Sequence, residues 1–407
     1  MLLDIPQTLM TLGVADIGLL RLTVHYQLRC LREQPEKKNV IWYDLELLLN
    51  LKVNKMVPWL RTSGKNVYDE LGNQVFLRGA AMSGLESFGY PRPAYWHGAN
   101  FEAFITEPAK LGKKPNVIRI PCVLWEYWPW VTGATFEHDI ALMEDAMDYA
   151  VNFAVENDIY VALDFHGVKD EQYHLIGEDP TLWINWMLHW VERYKHLPNV
   201  IYELWNEPWI EGLGNGDLAL GRQRWISMVN RFCQEVTAVH PKALFIVAAE
   251  DVTVLDYWIN NPLPYNVVYA FAYYYFHFDY DWYLKPYADG DYTLAYERVR
   301  NWFINYRRIN APIPLICKEF GWGSGLDVKE PAFDINMMHV FSLWTEFGLH
   351  WYQWIWGTRS YGMANSDWTL RDPTGIIWAQ SLNGSVLHTL TVESNVPGIP
   401  FTLERVK

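Results

Sequence analysis

Asn199-Val200-Ile201-Tyr202-Glu203-Leu204-Trp205-Asn206-Glu207-Pro208 is the stretch that decides the fold. A short, largely apolar run leads straight into a glutamate. A second run, Pro314-Leu315-Ile316-Cys317-Lys318, leads in the same way into Glu319-Phe320-Gly321. Strands of a parallel sheet are covered on both faces, so they read as near-continuous apolar stretches rather than as alternation. Both runs are therefore expected to be buried parallel strands. Each then carries a glutamate at its C-terminal tip, which in a β/α barrel lies on the active face.

Working outward, the same reading finds eight barrel strands: Val75–Ala81, Asn116–Ile120, Tyr160–Phe165, Val200–Trp205, Ala243–Ala249, Val267–Tyr274, Pro314–Phe320 and His350–Trp356. Amphipathic stretches lie between them. Ile140, Met143, Met147, Ala150 and Ala154 fall on one helical face at spacings of three and four. Further helices are expected over roughly 181–195, 218–239, 291–308 and 334–347. Strands alternating with helices argue for an α/β protein, a closed (β/α)8 TIM barrel, which takes roughly 250 residues or more. Residues 58–407 are read as this barrel and residues 1–57 as an appended N-terminal segment packed on it. Gly64 to Leu77 is expected to form a hairpin, with Asp69-Glu70-Leu71-Gly72-Asn73 as its turn.

Composition narrows the function. With 50% hydrophobic and 20% charged residues, the chain of 407 is not a disordered one. A net charge of -14 argues against nucleic acid, whose binders carry basic patches. No apolar run reaches the roughly 18 residues of a membrane span, so no membrane association is expected. Four cysteines without paired spacing suggest neither disulfides nor a metal site, and no cofactor is implied. Cys317, two residues before Glu319, is expected on the same strand face, as a core thiol. The aromatic load is the informative part: 22 Trp and 25 Tyr. Most of them fill a large core, but Trp96, Trp125, Trp128, Trp130, Trp209, Trp282 and Trp322 fall in loops expected after strands. Exposed aromatic planes in a groove suit the apolar C–H faces of sugars.

Chemistry gathers at the strand ends. Arg119 ends the second barrel strand, His166 the third, Asn206 and Glu207 the fourth, Tyr274 the sixth, Glu319 the seventh and Trp354 the eighth. Such tips converge in space although they are far apart in sequence. Two carboxylates on different strands are what cleavage of a glycosidic bond needs. At this point the sequence resembles glycoside hydrolase family 5, the cellulase A family, from about Pro58 to Asp372. The resemblance rests on Gly72-Asn73-Gln74-Val75-Phe76-Leu77-Arg78-Gly79, Arg119 before Ile120-Pro121, Asp164-Phe165-His166-Gly167, Asn206-Glu207-Pro208, Glu319-Phe320-Gly321 and Trp354-Ile355-Trp356. Gly84-Leu85-Glu86 and Asp367-Trp368 look like its endoglucanase branch.

The resemblance implies a retaining endo-β-1,4-glucanase, with Glu207 as general acid/base and Glu319 as nucleophile. Its partner would be a β-linked polysaccharide or oligosaccharide. A polymeric substrate implies a secreted protein, although the N-terminus lacks the basic region and cleavage site of a signal peptide. Glu207 must be protonated near neutral pH, so apolar walls, in part Trp205 and Trp209, and the second carboxylate must raise its pKa. Arg119 and the Tyr274 hydroxyl would favour the charged form of Glu319. Asn206 is assigned the sugar 2-hydroxyl, with a turn-forming Asn as the structural alternative. His166 is assigned a hydrogen bond in the site, against a buried structural His. Arg119 has an ion pair with Asp164 or Glu203 as its alternative. Trp354 is expected to form the sugar platform, with Trp356, of the same strand parity, as competitor. One departure stands out. The family has His-x-Tyr in the sixth strand, where this chain has Ala272-Tyr273-Tyr274. His277, Tyr273 or Tyr275 would have to supply the missing hydrogen bond. The same mechanism on β-mannan or another β-glucan, and a carbohydrate-binding protein without catalysis, are the competing readings.

Overall fold

The computed structural model describes residues 56–82, 99–122, 136–166, 180–274, 282, 285–321, 333–357, 362–371 and 374–384. Within them the chain forms strands β1 (Leu60–Ser63), β2 (Asn66–Asp69), β3 (Arg78–Met82), β4 (Val117–Cys122), β5 (Tyr160–Phe165), β6 (Val200–Glu203), β7 (Phe245–Ala248), β8 (Val267–Tyr274), β9 (Leu315–Gly321) and β10 (His350–Trp356). The helices are α1 (Ala99–Ala109), α2 (Phe136–Glu156), α3 (Thr181–Tyr194), α4 (Ile210–Leu213), α5 (Leu218–Val239), α6 (Val252–Asn260), α7 (Lys285–Ala288), α8 (Tyr292–Arg307), α9 (Phe333–Phe347) and α10 (Thr374–Ser381). Strands β3 to β10 close into a barrel, in the order β10-β3-β4-β5-β6-β7-β8-β9, with parallel pairing throughout. The expected (β/α)8 barrel is the fold.

Alternation along each strand divides the core into two layers. One face of each strand packs between sheet and helices, where Ile118, Ile120, Val161, Leu163, Phe165, Val247 and Phe271 meet the helical side chains. The other face fills the barrel with Val117, Tyr160, Ala162, Ile201, Ile246, Val268, Ala270, Ile316 and Tyr352. Most described tryptophans belong to the outer layer. Trp183, Trp186 and Trp190 on α3 lie on one helical face, and the ring of Phe165 meets Trp183 and Trp186 edge-on. On the far side of the barrel, Phe320, Phe341, Trp344 and Trp351 pack edge to face.

The N-terminal mouth of the barrel is closed by the hairpin. Leu60 and Val67, from β1 and β2, join the inner layer together with Leu77. Tyr160 donates its hydroxyl proton to the Pro58 carbonyl at 2.9 Å, and the Thr62 amide donates to Asn266 Oδ1 at 3.3 Å. The strand pair differs from expectation: β2 pairs with β1 through a turn at 64–65, ahead of the expected one. Residues 69–73 do reverse the chain, with Asp69 accepting from both nitrogens of Asn73. Beyond it only an isolated bridge, Tyr68 to Gln74, forms. The amides of Val75 and Leu77 go to the Val67 carbonyl and to His350 Nδ1, so the first barrel strand begins at Arg78 rather than Val75. Truncating this plug, as in Leu60→Ala, is expected to lower stability by about 2–3 kcal/mol, the low end for a buried leucine. A urea midpoint equal to wild type would remove the hairpin from the core.

Five helices lie outside the expected ones: α1, α6 and α10, and the single turns α4 and α7. Helix α6 has a legible start, since the Asp251 carboxylate caps it by accepting from the amides of Thr253 and Val254 at 2.8 and 3.1 Å. Its β-branched, aromatic run Val252-Thr253-Val254 with Trp258 masks the helix in composition. Residues 1–55 of the expected N-terminal segment lie outside the described residues, as do Trp96, Trp125, Trp128, Trp130 and Trp322.

Candidate active site

The site is assembled by register. Strands β4, β5 and β6 set Arg119 beside Ala162, and Asp164 beside both Pro121 and Glu203. Arg119, Asp164 and Glu203 therefore share the inward face near the C-terminal rim, and all three are fully buried. Arg119 Nε and Nη2 donate to the two oxygens of Glu203 at 2.8 and 2.7 Å, a bidentate fork. Nη2 also donates to Asn206 Oδ1 at 2.7 Å and lies 2.8 Å from Asp164 Oδ2. Nη1 reaches Glu319 Oε2 at 3.2 Å. One guanidinium thus ties carboxylates of three strands to a fourth. Burial opposes its charge, but Asp164, Glu203 and Glu319 together outweigh burial and keep it protonated. Both ion pairs proposed as alternatives for Arg119 exist alongside its contacts to Asn206 and Glu319.

The buried carboxylates are not equivalent. Burial pushes Glu203 up to about 7 against the pull of Arg119. Asp164 is buried too, but Arg119 and His166 hold it below its usual value. The fork from Arg119 suits an ionised Glu203, and its raised pKa means that it takes a proton before Asp164 as pH falls. His166 Nδ1 lies 2.7 Å from Asp164 Oδ2. Burial works against an imidazolium there, yet Asp164 outweighs it and raises the pKa of His166. The His166 ring lies flat against the Trp354 indole, centroids 5.2 Å apart at 4°.

Glu319 is held from two sides. Oε1 accepts from the Tyr274 hydroxyl at 2.6 Å, and Oε2 accepts from Arg119. Burial and the neighbouring Glu319 raise Tyr274 well above a phenol's ordinary pKa, so it stays a donor. Glu207, four residues past β6, which ends at Glu203 rather than at the expected Trp205, is raised by burial, then by Glu250 and Glu319, with Lys318 and His166 pulling the other way. Trp209 is half-buried and lies across Gly212; a Cβ at Gly212 would stand 2.2 Å from its ring. Trp205 instead joins the outer layer against Phe165 and Trp225.

Cys317 and Trp356 both lie off the face that strand parity predicts, for one reason. Across β8 and β9, Phe271 faces Cys317 but Ala272 faces Glu319, so Lys318 is an extra residue, a bulge. Cys317 consequently sits in the outer layer with Leu315 and Phe320, not on the face of Glu319. In β10 the register slips between Gln353 and Trp356, three steps against two in β3. Trp354 stays beside His166, whereas Trp356 is fully buried between Phe104 and Trp378, its Nε1 donating to the Asn100 carbonyl at 3.0 Å. The structure thus does not bring Trp356 to the site. Bulges re-aim side chains next to active sites, and period-2 reading cannot anticipate them.

Ala272 lines the barrel beside Glu319 and offers no hydrogen bond. Of its suggested substitutes, Tyr273 packs outward among Trp302, Phe303 and Trp344, with its hydroxyl on Asn336. Tyr275 and His277 lie outside the described residues. Two charged groups went unremarked in sequence. Lys318, wholly buried, donates to Asn206 Oδ1 at 3.0 Å and pairs with Glu250 Oε1 at 2.9 Å. A lysine inside an apolar strand and a glutamate directly after β7 were the available signals. Among the described residues no three His, Cys, Asp or Glu side chains gather to hold a metal ion. No described helix is long and apolar enough to cross a membrane.

A closed parallel barrel with two carboxylates at strand tips defines the glycoside-hydrolase class of site. A family model described as cellulase (glycosyl hydrolase family 5) matches residues 68–360, and the chain belongs to this family. It is 27% identical over 228 residues to endoglucanase A of Butyrivibrio fibrisolvens, covering 55% of this chain and 47% of that protein. The chain thus spans about half the length of that relative. Among solved structures it resembles the β-glucanase SdGluc5_26A of Saccharophagus degradans, with TM-score 0.62 at 18% identity, over 81% of this chain and 94% of that one. It also resembles the catalytic domain of Thermobifida fusca endoglucanase Cel5A, with TM-score 0.55 at 17% identity, over 79% and 96%.

Proposed function

We propose that the protein is a secreted, retaining endo-β-1,4-glucanase. The observation that carries this reading is the contrast between the two strand-tip glutamates. Glu319 accepts from Arg119 and Tyr274, as a nucleophile held and aimed from two sides would. Glu207 is raised by burial and by Glu250 and Glu319, as an acid carrying a proton would be. In the first step Glu319 attacks the anomeric carbon as Glu207 gives its proton to the departing glycosidic oxygen. In the second, Glu207 takes a proton from water, whose oxygen displaces Glu319 and regenerates the carboxylate. Trp354, flat on His166, suits the face of the sugar whose bond is cut. Support for the substrate comes from the named relatives and from the SdGluc5_26A structure, which was solved with cellotetraose.

The same mechanism on β-mannan or another β-glucan is the second reading, favoured by Ala272, which removes a hydrogen-bonding group beside the nucleophile. Reducing-sugar release from soluble β-glucan, carboxymethyl cellulose and mannan separates the two. Glu319→Gln is expected to cut release by roughly 10⁴-fold or more, since an amide cannot form the covalent intermediate. Undiminished release in that variant would end the proposal. Activity confined to mannan would move it to the second reading.

A further inference from the structure

Lys318 is a fully buried ammonium inside a barrel, and burying a charge is costly unless it is paired. Its position is unusual as well as its charge. The extra residue in β9 puts Lys318 and Glu319 next to each other on the side of the chain that serves the site, where regular pleating would send one of them outward. From there Nζ has two partners. It donates to Asn206 Oδ1 at 3.0 Å, and it stands 2.9 Å from Glu250 Oε1 as an ion pair, off the direction of an aligned hydrogen bond.

The contact to Asn206 settles the orientation of an amide. Arg119 Nη2 donates to the same Oδ1 at 2.7 Å. Two cationic donors on one oxygen leave no room for the flipped amide, which would set its NH2 against both charges. Nδ2 is then the end turned away from both cations. The contact to Glu250 concerns charge. Glu250 follows β7, is partly exposed, and acts on Glu207. Lys318 therefore touches the residue preceding the acid and the carboxylate beside it, and it directly precedes the nucleophile in sequence.

We propose that Lys318 is a positioning residue of the reaction: from the β9 bulge its ammonium fixes the Asn206 amide with Nδ2 toward the sugar and tethers Glu250 beside Glu207. The proposal rests on the glycosidase reading of Glu207 and Glu319, and it assigns the pair Lys318–Glu250 a part in that reaction. The charged and titratable groups acting on Glu207 are Glu250 after β7, Glu319 and Lys318 on β9, His166 after β5 and Tyr274 on β8. Removing a cation and removing an anion from this set must have opposite effects.

The test follows the Glu207 carboxyl by carbon-13 NMR titration in wild type, Lys318→Met and Glu250→Gln, with Glu207→Gln supplying the assignment. Lys318→Met is expected to raise the Glu207 pKa and Glu250→Gln to lower it, each by about half a unit or more. The alkaline limb of kcat/KM should move the same way in each variant, because it reports loss of the acid's proton. Lys318→Met should also lower kcat/KM about tenfold, and the loss should largely vanish in an Asn206→Ala background, as for residues acting through one contact. Shifts of one sign in both variants, no shift, or fully additive losses would make the pair merely structural. If Lys318→Met does not fold, Lys318→Gln, which removes the charge but keeps a polar side chain, takes its place, and an unmoved Glu207 pKa in that variant overturns the proposal. The titration does not depend on turnover, so its failure is distinct from failure of the glucanase reading, which the Glu319→Gln comparison tests.

Discussion

Arg119→Met should cost about 3–5 kcal/mol of stability and abolish hydrolysis, because it leaves buried carboxylates without their cation. The guanidinium is the common partner of Glu203, Asp164 and Glu319, and the first two are wholly buried. Methionine replaces the volume but none of the donors. The sign of the pH dependence identifies the cause. In the wild type, Asp164 sits below its ordinary pKa, so its contribution to stability is present above the unfolded value of 3.8 and is lost as pH falls through the folded one. In the variant the carboxyls are pushed above their unfolded values by burial alone. A raised acid stabilises the fold below its unfolded pKa, and that contribution is lost as pH rises through the folded pKa. The deficit between variant and wild type is therefore expected to be small near pH 4–5 and large near pH 8. Urea unfolding at those two pH values reads it directly. An equal deficit at both would mean that Arg119 matters for packing and not as the counter-charge of the site.

Much of this arrangement was legible in the sequence because parallel strands announce themselves. The runs ending at Phe165, Tyr274 and Trp356 were found with their full bounds. Their near-continuous apolar character follows from burial on both faces. Arg119, His166, Asn206, Tyr274, Glu319 and Trp354 were found by one geometric rule, that strand tips converge. The rule failed only where a strand stops being regular. The β9 bulge, one residue past Cys317, puts Glu319 on the opposite face from it, and the slip in β10 turns Trp356 outward. Neither leaves a mark in composition, because a bulge is one residue more on one strand than on its partner. Lys318 was visible as a charge in an apolar run, but its meaning needed the bulge. Of the aromatic residues assigned to the site, Trp205 and Trp356 are core, because core aromatics look like binding aromatics until their neighbours are known.

Glu207→Ala is expected to split the reaction by leaving group. On glucan, where the departing sugar oxygen must be protonated, the rate should fall about 10²–10⁴-fold, the usual worth of a general acid. On dinitrophenyl β-cellobioside the leaving phenolate needs no proton, so attack by Glu319 should proceed at close to the wild-type rate. The glycosyl-enzyme then accumulates, because the residue that would activate water is the one removed. Azide, which needs no base, should release it as the β-configured cellobiosyl azide, two inversions giving net retention. The raised pKa of Glu207 sets a further sign. The wild type should lose activity on glucan as pH rises through that pKa, whereas first-step attack on the aryl substrate in the variant should show no such limb. An α-configured azide would place the second carboxylate as a base acting through water, and the reaction would be inverting. Equal losses on both substrates would take the acid role from Glu207 altogether, leaving Glu250, the other carboxylate tied to Lys318 at this rim, as the group to test next.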